Sequence, residues 1–323
     1  MGLENRAKSI LLVAIICLVL SCTAVLLRCF VRLRLIKSPG WDDSLMALAM
    51  VLNIWDSVRA MAGAVAGIGK RPDELARSAE IELALLWWWL SQEAYVWVAT
   101  IARISIALTT LRITSRRRDS AVMYTVISLT GLIGAAFWLV LTLQCQPIRK
   151  FWHPSEPGGC LQIRYILAMA YLYSGSACLC NLTLGLFPIY LLKDLHVHQV
   201  TKLAAMAILS MGCLYVQMTR GTVLTECFCS SGAAVVARIP YIHEMPGTKG
   251  ADFLYATSSI ALTSILEVGL GITAGSLITL RPLLRWFRNC IHGVFQRRNL
   301  GLESGLMRFQ SNDQATVATV CTV

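Results

Sequence analysis

No charged residue interrupts the chain from Ser9 to Leu27, and six further stretches of similar length are nearly as apolar. A helix of about 20 such residues spans the roughly 30 Å hydrocarbon core of a bilayer. The stretches lie near residues 9–27, 43–66, 83–111, 121–143, 166–191, 203–225 and 254–280. They predict an all-α membrane protein, a seven-transmembrane helix bundle over residues 1–280. The apolar segment 227–240 is short, is closed by Arg238 and Pro240, and reads as a loop. Strand-like alternation is not sustained, which argues against a β-barrel. Composition agrees. The chain is 56% hydrophobic and 15% charged, against about 25% charged residues in soluble domains. That is too few to cover a water-facing surface, so a soluble enzyme, a disordered chain and a small disulfide-stapled domain are excluded.

Arg6 and Lys8 ahead of the first stretch also suit a secretory signal. The run continues through Ala24-Val25-Leu26-Leu27 to Arg28, however, which is long for a signal and right for an anchor. Lys and Arg then set the orientation, because they accumulate on the cytoplasmic side. Of the 29, one set of connecting segments holds 16, the opposite set holds 10, and Arg59, Arg103 and Arg220 lie within spans. This places the N-terminus outside and the C-terminus in the cytoplasm. The net charge of +11, which would suggest nucleic acid in a soluble protein, becomes a cytoplasmic-side feature, and no nucleic-acid partner is expected. Trp87-Trp88-Trp89 at the outer end of the third span reads as an interfacial aromatic belt.

Twelve cysteines are present. Cys145 and Cys160 fall in the outer loop between the fourth and fifth spans, where an oxidising compartment permits a disulfide. Cys227 and Cys229 fall in another outer loop, and sequence alone leaves the pairing open.

A series of short motifs runs along the chain. It begins with Arg28-Cys29-Phe30-Val31-Arg32 and Gly40-Trp41-Asp42-Asp43, then Gly67-Ile68-Gly69-Lys70 and Ala102-Arg103-Ile104-Ser105. Gln144-Cys145-Gln146-Pro147, Gly159-Cys160, Pro188-Ile189, Arg220, Glu267 and Leu280-Arg281-Pro282 follow. In this order the chain resembles the fungal rhodopsin-domain integral membrane proteins, a family that includes the satratoxin-cluster membrane proteins. The resemblance implies a surface or endomembrane protein, often near fungal secondary-metabolite clusters, and implies no reaction. Two positions depart from the family pattern. Asn181 stands where the family usually has Asp, and Ser276-Leu277-Ile278-Thr279 lacks the expected Cys and Pro.

Ionisable residues within spans are costly and mark candidate sites. Asp56 and Arg59 lie three apart on one helical face and are placed to neutralise each other. Glu93 and Arg103 are ten apart, about 15 Å of rise, too far to pair. Each therefore needs another helix or a wet cavity. Arg220 lies where it can snorkel to the outer interface. Glu267 lies near mid-membrane, where Arg103, Arg220 or Asn181 could meet it. These seven residues are the candidate intramembrane polar or ligand-binding set, read either as interhelical glue or as a polar cavity. Asp42-Asp43 read as a helix cap.

A retinal pigment needs an intramembrane Lys for its Schiff base. The seven Lys (8, 37, 70, 150, 193, 202, 249) all lie outside the predicted spans, so no retinal and no other cofactor is expected. The five His lie in loops or the tail, which argues against an intramembrane metal site. Residues 281–298 suit a basic juxtamembrane helix, with Cys290 open to palmitoylation, and the chain to residue 323 reads as a disordered tail that could meet a cytoplasmic protein. The expected function is that of a non-enzymatic multi-pass membrane protein, receptor-like or accessory. It would sense a small molecule or support a secondary-metabolite (mycotoxin) pathway; a small-metabolite transporter is the alternative.

Overall fold

The computed structural model describes residues 6–38, 40–70, 78–114, 116–193 and 251–278. It contains α1 (Arg6–Phe30), a π-helical turn (Val31–Ile36), α2 (Trp41–Ala66), α3 (Ser78–Ile113) and α4 (Arg117–Thr142). A short hairpin of β1 (Cys145–Gln146) and β2 (Gly159–Cys160) follows, then α5 (Ile163–Lys193) and α6 (Ala251–Ile278). Six helices among the described residues are long and apolar enough to cross a membrane. They coincide with six of the seven expected stretches, α6 being the seventh in sequence. The stretch 203–225, Arg220, Cys227, Cys229 and the tail 281–323 lie outside the described residues.

The apolar periodicity explains the packing. α1 buries Ile10, Ala14, Cys17, Ser21, Ala24 and Arg28 against α2 and α6, while Leu12, Val19 and Leu26 on its other side stay exposed. α4 and α5 likewise expose Leu132, Leu172 and Leu179. In water that surface would aggregate; in lipid it is the solvated face. α3 sits at the centre and packs on α2, α4, α5 and α6. Close helix approach depends on absent side chains. A Cβ at Gly269 of α6 would stand 2.6 Å from Cys17 Cβ of α1, and one at Gly134 of α4 would stand 2.6 Å from Thr100 Oγ1 of α3. Small residues at such crossings allow the dispersion contact that lipid cannot outcompete.

Helix ends follow local chemistry. At the start of α2, Asp43 at the third helical position accepts from the Gly40 N–H at 3.3 Å, half of a capping box. At its end Gly67 has φ 141°, a backbone region that glycine tolerates, and its N–H closes on the Gly63 carbonyl at 3.0 Å. Beyond α4, Cys145 and Cys160 are cross-strand partners and form a disulfide. This selects the expected pair. The bridged loop folds back on α3, with Trp152 5.4 Å from Trp89 between ring centroids and His153 Nδ1 2.7 Å from Glu82 Oε2.

The aromatic-belt reading of Trp87-Trp88-Trp89 needs correction at two positions. Trp88 is 3% exposed and meets Phe253 edge-on inside the bundle. Trp89 donates its indole N–H to the Leu141 carbonyl at 3.3 Å. α3 packs on four other helices, and these two tryptophans find their partners there and in the bridged loop.

Candidate functional site

Three consecutive polar layers occupy the bundle between its two ends. The deepest is built on Arg103, two turns below Tyr95 on α3. Its Nε donates to Asn181 Oδ1 at 3.1 Å, its Nη1 to Tyr173 Oη at 3.3 Å and its Nη2 to Glu267 Oε1. Tyr95 Oη donates to the other Glu267 oxygen at 2.6 Å. Both members of the ion pair are buried, Glu267 to 2% exposure. A guanidinium and a carboxylate in a low-dielectric core survive only when paired and hydrogen-bonded on their remaining atoms, and this constellation satisfies both conditions. Of the partners open to Glu267 in sequence, Arg103 makes the pair, and Asn181 joins from the Arg103 side.

Above this layer lies a cavity of about 100 Å³ between α2, α3, α4, α5 and α6. Tyr95 and Tyr173 line its deep end, with Trp88, Phe137 and Ile265 as apolar walls and Asp56, Ser91, Gln92, Ser174 and Ser264 as its polar groups. Phe137 stacks on Tyr173 at 4.6 Å, and Tyr95 meets Tyr173 edge-on at 6.1 Å. The tyrosines that floor the cavity therefore direct their hydroxyls at the ion pair beneath it.

Asp56 and Arg59 do not use each other as hydrogen-bond partners, although their spacing invites it. Asp56 Oδ1 accepts from Ser91 Oγ at 3.0 Å. Arg59 donates to the Leu90 carbonyl at 2.9 Å and lies over the Trp55 ring at 4.5 Å. Neighbouring groups on α3 offered each side chain a partner across the helix interface. Glu93 faces α4, where Thr142 Oγ1 donates to its Oε2 at 3.0 Å, well away from Arg103 as its spacing required.

The third layer, at the basic end, was not assembled from sequence. Arg28, 1% exposed, donates through Nη2 to Asp42 Oδ2 at 3.0 Å and Thr109 at 2.7 Å, and through Nε to Asp43 Oδ1 at 3.0 Å. Arg112 donates to Asp42 Oδ1 at 2.9 Å, and Arg32 reaches Asp42 Oδ2 at 3.4 Å. Arg28 Nη1 also reaches the Gly275 carbonyl of α6 at 3.4 Å. One cluster thus joins α1, α2, α3 and α6. Asp43 does cap α2, but Asp42 serves as a junction whose two oxygens are already engaged. The sequence signal was present: opposite charges, Arg28 against Asp42-Asp43, flank one short turn at the same membrane boundary.

The geometry is that of a helical membrane bundle with a polar core under a central cavity. A family model described as the fungal rhodopsin domain matches residues 27–286. The chain belongs to the fungal rhodopsin-domain family. No curated protein and no solved structure matches it. The domain match begins at Leu27, just before Arg28, and contains all three polar layers of this fungal rhodopsin domain. It is a multi-pass membrane protein.

Breaking a buried ion pair by removing one partner costs about 3–5 kcal/mol, because the other charge stays buried. Arg103→Met and Glu267→Met should therefore each lower folded abundance and the thermal midpoint in detergent. The double variant should lose less than the sum of the singles, by more than about 1 kcal/mol. Strictly additive losses would show that the two residues act independently.

Proposed function

We propose that this fungal rhodopsin-domain protein is a non-enzymatic, receptor-like membrane protein that binds a small molecule in the central cavity. One observation carries the reading. The cavity floor, Tyr95 and Tyr173, is hydrogen-bonded to the Arg103–Glu267 pair that joins α3, α5 and α6. A molecule seated on the tyrosines touches the groups that hold three helices in register. Occupancy can then bias the arrangement of the helices through differential contact. The accessory role in a secondary-metabolite pathway, of the satratoxin-cluster kind, rests on the family resemblance; synthase and oxidase genes beside this gene would support it, and their absence would remove its basis. A cytoplasmic protein partner for the basic tail belongs to the same proposal.

Transport is the second reading, favoured by Asp56, Arg103 and Glu267 at membrane depth. With the full chain in proteoliposomes, saturable binding of a metabolite without flux is expected. Flux of that metabolite would replace the receptor reading with transport.

We also propose seven crossings, N-terminus outside and C-terminus cytoplasmic. The apolar stretch 203–225, the 16-to-10 distribution of Lys and Arg, and the disulfide at the opposite end of the bundle from Arg28, Arg32 and Arg112 support this. After mild reduction of intact cells, a membrane-impermeant maleimide should label Cys145 and Cys160. Labelling only after permeabilisation would invert the topology.

No retinal is proposed. α6 carries Glu267 and no Lys, and Lys8, in the first turn of α1, is exposed. Added retinal should leave the visible spectrum unchanged; a shifted band stable to dilution would overturn this.

A further inference from the structure

We propose that the central cavity is selective for a small organic cation, an amine or amidine on a compact apolar body, held by the Asp56 carboxylate. This deepens the proposed function and rests on its choice of cavity. Asp56 is 6% exposed and lines the cavity. Ser91 occupies Oδ1, and among the described residues no hydrogen bond or ion pair reaches Oδ2. The nearest cation on its own helix, Arg59, acts on Asp56 through space without bonding to it, because its guanidinium donates to the Leu90 carbonyl and lies over the Trp55 ring. Arg103, one layer deeper, is committed to Glu267, Tyr173 and Asn181. Asp56 is thus the one ionisable acid or base, other than the floor tyrosines, among the described residues that line the cavity. Buried carboxylates are retained when something pairs with them.

The rest of the lining fits an amine better than a bare metal ion. Trp88, Tyr95, Phe137 and Tyr173 present aromatic surface, which favours an organic cation through the ring quadrupole. No group of three or more His, Cys, Asp or Glu suited to a metal occurs among the described residues. The volume, about 100 Å³, compares with an engineered cavity of about 150 Å³ that binds benzene. The body of the ligand is therefore on the scale of one ring. An ammonium would donate to Asp56 Oδ2, with the ring lying between Phe137 and Trp88.

The test uses the full chain in nanodiscs, with phenethylamine as the cation and phenethyl alcohol as its uncharged counterpart. Binding is read by thermal midpoint and by competition between the two. The amine should bind the wild-type protein about 30-fold more tightly than the alcohol, the scale of one charge-assisted hydrogen bond in a buried site. Asp56→Asn should abolish that preference by lowering the amine's affinity to the level of the alcohol's. If Asp56→Asn fails to fold, the amine-to-alcohol ratio on the wild-type protein still decides. Equal binding of both probes, binding of neither, or stabilisation by sodium ion in place of the amine would overturn the cation site. Saturable cavity binding of uncharged compounds alone would end this inference but leave the ligand-binding reading intact. Amine flux into proteoliposomes would end the receptor reading and leave the cation site standing.

Discussion

The Arg103–Glu267 ion pair is the interaction on which the bundle turns. Two charges have been moved from water into a region where neither headgroups nor solvent can stabilise them. Their desolvation is offset by each other and by Tyr95, Tyr173 and Asn181, so that each Arg103 nitrogen and each Glu267 oxygen has a partner. Because those five residues come from α3, α5 and α6, the pair cannot form unless three helices are in register. α3 carries two of the five and touches four neighbouring helices, so its placement sets theirs.

The two ends are held differently. At the basic end, Arg28, Arg32 and Arg112 converge on Asp42 and Asp43, a junction with three cations for two acids. The excess charge sits where the Lys and Arg bias of the loops already concentrates. At the other end a disulfide and aromatic contacts take over: Cys145–Cys160 closes a loop whose Trp152 and His153 lie back on α3. Between these anchored ends lies the cavity, bounded by Asp56 on one side and the floor tyrosines on the other.

Much of the fold was readable because lipid imposes a simple demand. Every spanning segment must be long, mainly apolar and helical, so α1 to α6 announced themselves as long apolar runs. The unusual residues inside them were readable for the same reason. Asp56, Glu93, Arg103 and Glu267 stood out against an apolar background, and each does sit at a polar contact between helices. Their partners were harder to find. Ser91, Tyr95, Tyr173 and Thr142 are ordinary in composition and become polar anchors only through position. Spacing put Asp56 and Arg59 on one helical face, where their charges do act on each other, but it did not show that their hydrogen bonds go to the adjoining helix. Trp88 and Trp89 looked like headgroup anchors, but Trp88 is buried in the core and Trp89 is held by Leu141 and Trp152.

Sequence by itself determined that the chain belongs in a bilayer, where its described helices lie and which charges must find partners. Hydropathy and charge are properties of single residues and short windows, and burying them in lipid carries the same cost in any arrangement of the helices. Only the tertiary structure decided that Glu267 meets Arg103, that Arg28 meets Asp42, and that Asp56 faces a cavity with an oxygen to spare. Those outcomes depend on helix rotation and crossing, which are set jointly by packing at positions such as Gly134 and Gly269. No local window of sequence contains that information.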